Sequence, residues 1–328
     1  MWRKVQLAIT NIRFLSQKRG ITILKNVFFH LWAQLSGKVY PQLPYALSLE
    51  LSGVCNLKCP QCPVGLGLIK RAQPFMSKED AYKIIDEFAP FGTVLNLYFQ
   101  GESLLNPNFC AITNYAAKQK VFTILSTNAA FISKNTATNL VQSGIHRIII
   151  SVDGADQQSY EKYRSGGDLE TVWRSISWLM QARKSQARLR PEIIVQTLVN
   201  KYNEHDLSVI KDKALTLGAD RVVFKTMQLY SDREVWLPKT KKFQRYKRQN
   251  QAVKINRCFR AFSSMVITSD LSYVPCCFDK FANHRLNTPN QTLRQVAKTD
   301  KRRAFLSQIY KHKTGHSICE NCSMGRKV

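Results

Sequence analysis

The sequence has few acidic residues, few glycines and prolines, and no long hydrophobic run. Its 328 residues include 22 Asp and Glu against 49 Lys and Arg, which gives a formal net charge of +27 at pH 7. The 14 glycines and 11 prolines exclude collagen-like or low-complexity organisation. Because no stretch of about 18 apolar residues is present, a membrane-spanning helix is not expected.

The composition is that of a globular protein. A hydrophobic content of 44% provides a core, and the length suits two domains or one large domain with an appendage. The first residues lack the continuous apolar core and the small-residue cleavage site of a signal peptide. We therefore expect a cytoplasmic protein.

Nine cysteines are many for a cytoplasmic chain. An odd number in a reducing compartment argues against a set of disulfides. Seven of the nine lie in two groups with the close spacing of metal ligands, and one group has an extra adjacent cysteine. The nine are Cys55, Cys59, Cys62, Cys110, Cys258, Cys276, Cys277, Cys319 and Cys322.

Residues 1–43 have the composition of a basic amphipathic helical segment, with a mostly apolar run at 23–32. Two interpretations stay open. The helix could pack against the main domain, or it could make peripheral contact with an anionic membrane, with Lys and Arg at the headgroups and Trp and Phe below them.

From residue 46 onward, apolar β-type runs alternate with helical stretches. The expected strands are 46–51, 94–99, 122–126, 147–152, 193–199 and 221–225. The expected helices lie near 78–89, 109–119, 134–144, 170–186 and 203–217. Six strands alternating with helices predict an α/β fold with a parallel sheet, either curled into a partial barrel or open and doubly wound.

The last third of the chain has a different composition. Residues 231–257 are rich in Lys and Arg and are interpreted as a basic linker. Residues 258–328 carry the remaining cysteines, a predicted hairpin over 266–275 and a predicted helix near 292–310.

The first cysteine group is Cys55-x3-Cys59-x2-Cys62, directly after the first strand. Three thiolates can hold three irons of a cubane cluster and leave the fourth open. Structural zinc is the competing interpretation, but it needs four ligands, and no fourth Cys or His lies nearby in the sequence. A 4Fe–4S cluster with an open position fits better.

This loop resembles that of the radical S-adenosylmethionine (SAM) enzymes, and motifs at later strand ends extend the resemblance. Gln100-Gly101-Glu102 resembles the family's Gly-Gly-Glu, Thr127-Asn128-Ala129 its Thr-Asn-Gly, and Ser151-Val152-Asp153-Gly154 its Ser-Leu-Asp-Gly. The departures are Gln100 and Ala129 in place of glycine and Ser103 in place of proline.

The resemblance implies a partial (β/α)6 TIM-like barrel over residues 44–230, with ligands at the carboxyl ends of its strands. It implies that SAM is cleaved reductively at the cluster to a 5′-deoxyadenosyl radical, which abstracts hydrogen from a substrate. Glu102 would bind the amino group of SAM, and Ser151 and Arg164 its ribose and carboxylate. The implied cofactor-binding residues are Gln100, Gly101, Glu102, Thr127, Asn128, Ser151 and Arg164.

The second cysteine group resembles the SPASM/twitch extension of radical SAM enzymes, which holds an auxiliary 4Fe–4S cluster. Its implied ligands are Cys258, Cys276, Cys319 and Cys322. Cys276 is preferred over Cys277 because it lies six residues after the turn residue Asp270, as in the family. Without the resemblance, four such cysteines could also hold zinc.

The remaining candidates carry weaker signals. Cys110 is expected to be a packed core thiol, and His316 a surface residue rather than a ligand. Asp279 is a guess for the group that accepts a proton from the substrate, and no catalytic acid or base is otherwise assigned.

Several functions fit these residues. The main hypothesis is oxidation of a small anionic, sugar- or lipid-linked molecule, with an electron donor such as flavodoxin or ferredoxin. The alternative is modification of a peptide or protein. RNA modification is less favoured, because the basic charge comes without an RNA-binding motif. A non-catalytic metal scaffold is also less favoured.

Overall fold

The computed structural model describes residues 14–230, 233–244, 257–320 and 322. The helices of eight or more residues are α1 (Gln17–Ser36), α2 (Lys78–Phe88), α3 (Phe109–Lys118), α4 (Lys134–Gln142), α6 (Leu169–Ser185), α7 (Leu207–Thr216) and α11 (Asp300–His312). The shorter helices are α5 (Gln157–Tyr163), α8 (Arg233–Trp236), α9 (Phe259–Ser263), α10 (Leu293–Val296) and α12 (Ser317–Glu320). Single 3₁₀ turns lie at Ser103–Leu105, Lys241–Phe243 and Lys313–Gly315.

Eight strands form one sheet in the order β6-β5-β4-β3-β2-β1-β7-β8. The strands are β1 (Ala46–Leu49), β2 (Val94–Asn96), β3 (Phe122–Thr127), β4 (Arg147–Ser151), β5 (Glu192–Val199), β6 (Arg221–Thr226), β7 (Ser264–Ile267) and β8 (Tyr273–Val274). Strands β1 to β6 are parallel to their neighbours and lie side by side in chain order. The sheet is open at β6 and β8, as a partial barrel requires, and this confirms the predicted fold class.

The C-terminal region is continuous with this sheet. Strand β7 pairs in parallel with β1, so that Leu47 lies opposite Leu95 on one side and Met265 on the other. Strand β8 then turns back antiparallel to β7, which gives the predicted hairpin. The first cysteine loop, which follows β1, therefore lies between strands from both regions.

The sheet buries one face under the helices. Along β1, Leu47 and Leu49 are fully buried, and they belong to the same apolar cluster as Ile84 and Phe88 of α2. Burial of each such side chain contributes about 1.5–3 kcal/mol. The alternate residues, such as Ser48, point to the concave side of the sheet and line a cavity.

Most predicted element boundaries agree with the structure to within a few residues, and the short helices α8, α9 and α12 are additional elements that the pattern does not predict. Helix α5 was not predicted; Asp156 and Ser159 form a reciprocal cap at its start. The predicted helix at 203–217 begins only at Leu207, because Asn203 accepts a hydrogen bond from the Asn200 N–H in a preceding turn, at 2.8 Å. The predicted helix near 292–310 is two helices, α10 and α11.

Helix α1 packs on the domain through polar side chains. The Arg19 guanidinium donates to the carbonyls of Ala89 (2.8 and 3.0 Å) and Gln119 (2.9 Å), and Asn26 donates to the Leu43 carbonyl (2.8 Å). The Arg19 bonds cap carbonyls at the ends of α2 and α3. No helix in the described residues is long and apolar enough to cross a membrane.

Parts of the predicted segments lie outside the described residues. Residues 1–13 belong to the predicted N-terminal segment, and residues 231–232 and 245–256 belong to the predicted linker. Residue 321 precedes the last cysteine, Cys322, and residues 323–328 follow it.

Candidate active site and cysteine centres

The first cysteine loop follows β1 and is fixed by its own backbone. The Cys62 N–H donates to the Cys59 carbonyl at 3.1 Å, and the Lys58 N–H donates to the Ser165 carbonyl at 3.0 Å. Gly65 lies against this turn so closely that a Cβ there would meet the Cys59 backbone nitrogen and oxygen at 2.6 Å. The loop therefore has a defined fold that needs glycine at this position.

The three thiols of this loop lie close enough to influence one another. Burial, with a contribution from the charges of Glu102, Cys59 and Cys62, raises the pKa of Cys55 to about 11. Burial also raises the pKa of Cys59, while the Arg164 guanidinium beside it lowers that pKa. Three neighbouring thiols, of which Cys59 is buried and the other two partly buried, are suited to a bound cation, because a metal centre stabilises the thiolate form.

Glu102 is buried in the loop that follows β2, and three hydrogen-bond donors hold its carboxylate. Its carboxylate accepts hydrogen bonds from the Thr127 hydroxyl (2.8 Å), the Asn128 N–H (2.8 Å) and the Leu104 N–H (3.1 Å). Burial raises the pKa of this carboxyl, and the three donors lower it. The structure thus brings the candidates at 100–102 and 127–128 together.

Asn128 connects the third strand to the cysteine loop. Its amide donates to the Asn56 side chain at 2.8 Å and to the Cys55 sulfur at 3.8 Å. The next residue, Ala129, replaces the glycine of the family motif and still takes a left-handed backbone, with φ of 64°. That conformation costs an alanine about 1–2 kcal/mol, so the turn is kept in spite of the substitution.

Arg164 lies between the fourth strand end and the cysteine loop. Its Nε donates to Asp153 Oδ2 at 2.6 Å, and its guanidinium interacts with the Cys59 thiol. Asp153 is fully buried and also accepts a hydrogen bond from the Leu198 N–H at 2.6 Å. Ser151 is buried at the end of β4, beside this pair in the sequence. Sequence reasoning missed Asp153 and Asn56, although Asp153 stands within the Ser-Val-Asp-Gly motif.

We expect Gly101→Ala to destabilise the protein by about 3 kcal/mol or more and to weaken SAM binding. Gly101 has φ of 68°, and a Cβ there would meet the carbonyl oxygens of Ser52 at 2.3 Å and Val54 at 2.6 Å. Denaturant unfolding and equilibrium SAM binding measure the two effects.

Gly67→Ala is the matched control for that substitution. Gly67 has nearly the same φ, 70°, but nothing lies within 4 Å of its added Cβ. We expect it to cost only the backbone term of about 1–2 kcal/mol. Equal effects of the two alanines would contradict the steric argument.

The four cysteines of the second group are all buried and influence one another. Burial, with a contribution from the Cys322 and Cys258 thiols, raises the pKa of Cys319 to about 12. The hydrogen bond with Cys277 and burial raise the pKa of Cys276, and the charge of Cys258 acts in the same direction. A donor set of four sulfurs suits iron–sulfur binding. In the described residues, no group of three or more His, Cys, Asp or Glu side chains is arranged to hold a metal ion, so the fit of both sets rests on donor chemistry and burial.

Cys277 differs from its neighbour. The hydrogen bond from Cys276 lowers the pKa of Cys277 to about 6, against the effect of burial, and the Arg260 guanidinium donates to its sulfur at 3.2 Å. Cys276 is buried, whereas Cys277 lines the cavity described below.

Other candidates have structural surroundings. The Asp279 carboxylate accepts hydrogen bonds from the N–H groups of Asn283 and His284, both at 2.9 Å, and so closes a turn. His316 is buried rather than on the surface as predicted, and its Nε2 lies 3.0 Å from the Phe305 carbonyl. Cys110 is partly buried and packs against the main apolar cluster, as expected.

A cavity of about 570 Å³ occupies the concave side of the sheet, where the partial barrel fails to close. Lys225 of β6 forms one wall, and Arg260, Cys277 and Lys280 lie opposite. Its lining also includes Gln100, which places the cavity beside the Glu102 motif. The lining contains three cationic side chains and no carboxylate. Burial lowers the pKa of Lys225, and the charges of Arg260 and Arg221 lower it further.

Two family models match the chain. Residues 49–249 match the radical SAM superfamily, and residues 258–323 match the SPASM iron–sulfur cluster-binding domain. Together with the open sheet and the two cysteine sets, these matches define an iron–sulfur enzyme built on a partial (β/α) barrel. The chain belongs to the radical SAM superfamily and carries a SPASM domain. The predicted family, SAM and additional iron–sulfur cofactors are thereby confirmed.

Curated relatives are similar over the barrel. The chain is 25% identical over 176 residues to the AdoMet-dependent heme synthase of Methanosarcina barkeri. The matched segment covers 54% of this chain and 48% of the heme synthase. The chain is 27% identical over 189 residues to the PqqA peptide cyclase of Rhodopseudomonas palustris, covering 57% and 48%. The chain thus spans about half the length of these relatives.

A solved structure is similar over most of the fold. Streptococcus suis SuiB, bound to its precursor peptide SuiA, superposes with a TM-score of 0.63 at 14% identity, covering 92% of this chain and 75% of that one. At this identity the likeness shows the fold alone.

Proposed function

We propose that Cys55, Cys59 and Cys62 hold the SAM-binding 4Fe–4S cluster, and that Cys258, Cys276, Cys319 and Cys322 hold an auxiliary one. When bound, the first cluster and SAM supply the reductive C–S cleavage that starts radical chemistry. The burial of the second thiol set and the Gly65 turn that shapes the first loop around the buried Cys59 support this assignment.

The chain's own residues bind and orient SAM. Glu102 presents a buried carboxylate to the cofactor's ammonium, and charge-assisted pairing of this kind is stronger than a neutral hydrogen bond. Thr127 and Asn128 fix that carboxylate, and Asn128 also fixes the cysteine loop. Gln100, Gly101, Ser151 and Arg164 complete the contacts, with Arg164 held by Asp153 beside Cys59.

We propose further that the enzyme modifies a peptide or protein through an acidic part of the substrate. The observation that carries this proposal is the cavity with Lys225, Arg260 and Lys280 and no carboxylate in its lining. Three cations that line one cavity without a carboxylate create a positive potential there, which favours an anionic group of the substrate. The PqqA peptide cyclase, which is similar to this chain over the barrel, is named for a peptide. This supports a peptide as the molecule that bears the anionic group.

A small anionic, sugar- or lipid-linked molecule is the second candidate substrate. The cavity volume of about 570 Å³ favours it, because small-molecule sites have volumes of about 300–1,000 Å³. For either substrate, an electron donor such as flavodoxin or ferredoxin reduces the cluster, and the charge of +27 favours an acidic donor.

The test exposes the anaerobically reconstituted, dithionite-reduced enzyme with SAM to three defined pools. These are synthetic acidic peptides, the same peptides with Asp and Glu replaced by Asn and Gln, and sugar phosphates. We expect a mass change only in acidic peptides, and Lys225→Gln/Arg260→Gln should reduce its rate at least tenfold while iron content stays unchanged. Lys211→Gln, an exposed lysine of α7, is the control.

The other outcomes are equally informative. A mass change in sugar phosphates alone replaces the peptide proposal with the second candidate. Equal turnover of the acidic and amide peptides, or an unaffected double variant, overturns the role of the cationic cavity.

A further inference from the structure

Helix α1 turns its polar face towards the domain, whereas an ordinary surface helix turns its apolar face inward. Its buried residues include Arg19, Thr22, Asn26 and His30, which recur every three or four positions and face the domain. A helix at a protein surface usually buries its apolar stripe. Here the polar stripe is buried, and the Arg19 guanidinium and the Asn26 amide nitrogen donate long-range hydrogen bonds to the domain.

The apolar stripe of α1 faces outward. Ile21, Leu24, Phe28, Leu31 and Leu35 recur at alternating spacings of three and four residues, so they share one face. Leu24 is 69% exposed, Phe28 59% and Leu35 88%. Trp32 stacks on Phe28 with ring centroids 6.4 Å apart and is also exposed. Contiguous exposed apolar surface of this kind marks an interaction site.

Cations surround this face. Helix α1 contains no Asp or Glu, and Lys18 and Lys25 are exposed on it. Beside the helix, a groove of about 440 Å³ is lined by Ile21, Lys25, Phe29, Lys298 and Arg303 among others, with no carboxylate in its lining. Arg303 also pairs with Asp300 at 3.1 Å, but both side chains are more than half exposed, and such surface pairs contribute little.

We propose that α1 is the docking surface for an anionic lipid bilayer. The apolar face enters the acyl boundary, Trp32 and Phe28 lie at the interface, and the groove at Lys25, Lys298 and Arg303 accepts lipid phosphate. The arrangement combines the two features that peripheral membrane binding needs. These are an apolar face that the bilayer can bury and a cationic patch that attracts its headgroups.

Charge decides between a bilayer and a second copy of the chain. The spacing of the stripe would also suit a helix pair. Two chains of net charge +27 repel each other, whereas an anionic bilayer attracts each of them. The bilayer is therefore the occupant that the surface favours.

The experiment is cosedimentation of the anaerobically reconstituted full chain with vesicles. Phosphatidylglycerol mixed with phosphatidylcholine is compared with pure phosphatidylcholine. We expect retention on the anionic vesicles, and at least a tenfold loss of affinity in Leu24→Ser/Phe28→Ser/Leu35→Ser. Lys25→Gln/Lys298→Gln/Arg303→Gln should lose the preference for anionic over neutral vesicles.

Two matched controls separate these effects from a general loss of apolar surface or charge. Val209→Ser/Leu215→Ser removes exposed apolar side chains from α7, and Lys118→Gln/Lys134→Gln/Lys211→Gln removes three exposed lysines from other helices. Both should bind as the wild type does. Unfolding curves and iron content of every variant report whether it is folded.

Three results overturn the proposal. The first is no retention of the wild type on anionic vesicles. The second is unchanged retention of the folded apolar-face variant. The third is a dimer in light scattering that this same variant abolishes, which would assign the face to a second copy.

Discussion

Replacing the first cysteine loop by Cys55→Ala/Cys59→Ala/Cys62→Ala is expected to halve the bound iron and abolish SAM cleavage. Two cubanes hold about eight irons, and loss of one leaves about four. The second set should keep its share, because its four cysteines are buried outside the first loop, and Cys258 belongs to a different apolar cluster from Cys59. Iron, sulfide and 5′-deoxyadenosine are measured after anaerobic reconstitution and dithionite reduction.

Cys110→Ala is the control for removal of a thiol. Cys110 is partly buried at the start of α3, outside both cysteine sets, and packs against apolar residues. We expect it to retain about eight irons and wild-type cleavage. Zinc in place of iron, or cleavage that survives in the triple variant, would overturn the assignment of the loop.

The sequence predicts the sheet and the place of the site for a physical reason. Parallel strands that alternate with helices all end at the same edge, so motifs at successive strand ends must meet there. The structure shows that meeting directly, because Thr127 and the Asn128 N–H donate to Glu102. Strand pattern and topology were therefore sufficient to bring residues together that are distant in the sequence.

The features that escaped prediction depend on long-range contacts. Helix α5 has seven mostly polar residues and buries only Tyr160 and Tyr163, so its hydrophobic pattern is too short to predict a helix. The orientation of α1 is fixed by carbonyls of Ala89, Gln119 and Leu43, which local sequence cannot indicate. The pairing of β7 with β1 likewise depends on which strand edge is free after the first six strands assemble.

Asp153→Asn is expected to cost about 3–5 kcal/mol of unfolding free energy, because it leaves the Arg164 charge without its partner. The two side chains are joined at 2.6 Å, and Asp153 is fully buried. The asparagine can still accept from the Leu198 N–H, so the loss isolates the ion pair. Since Arg164 also contacts Cys59, SAM affinity should fall in the same variant. Denaturant unfolding and equilibrium SAM binding measure the two effects.

Asp156→Asn provides the same chemical change three residues away. Asp156 is exposed and caps α5 through the Ser159 N–H at 2.7 Å, and asparagine caps a helix about as well as aspartate. We expect a change within about 0.5 kcal/mol for this control.

Asp153→Asn/Arg164→Met should recover part of the stability lost in Asp153→Asn, because it removes the unpaired buried charge. It should not recover SAM affinity, since we propose that Arg164 itself contacts SAM. If the single variant unfolds as the wild type does, the Asp153–Arg164 pair does not hold the strand ends to the cysteine loop.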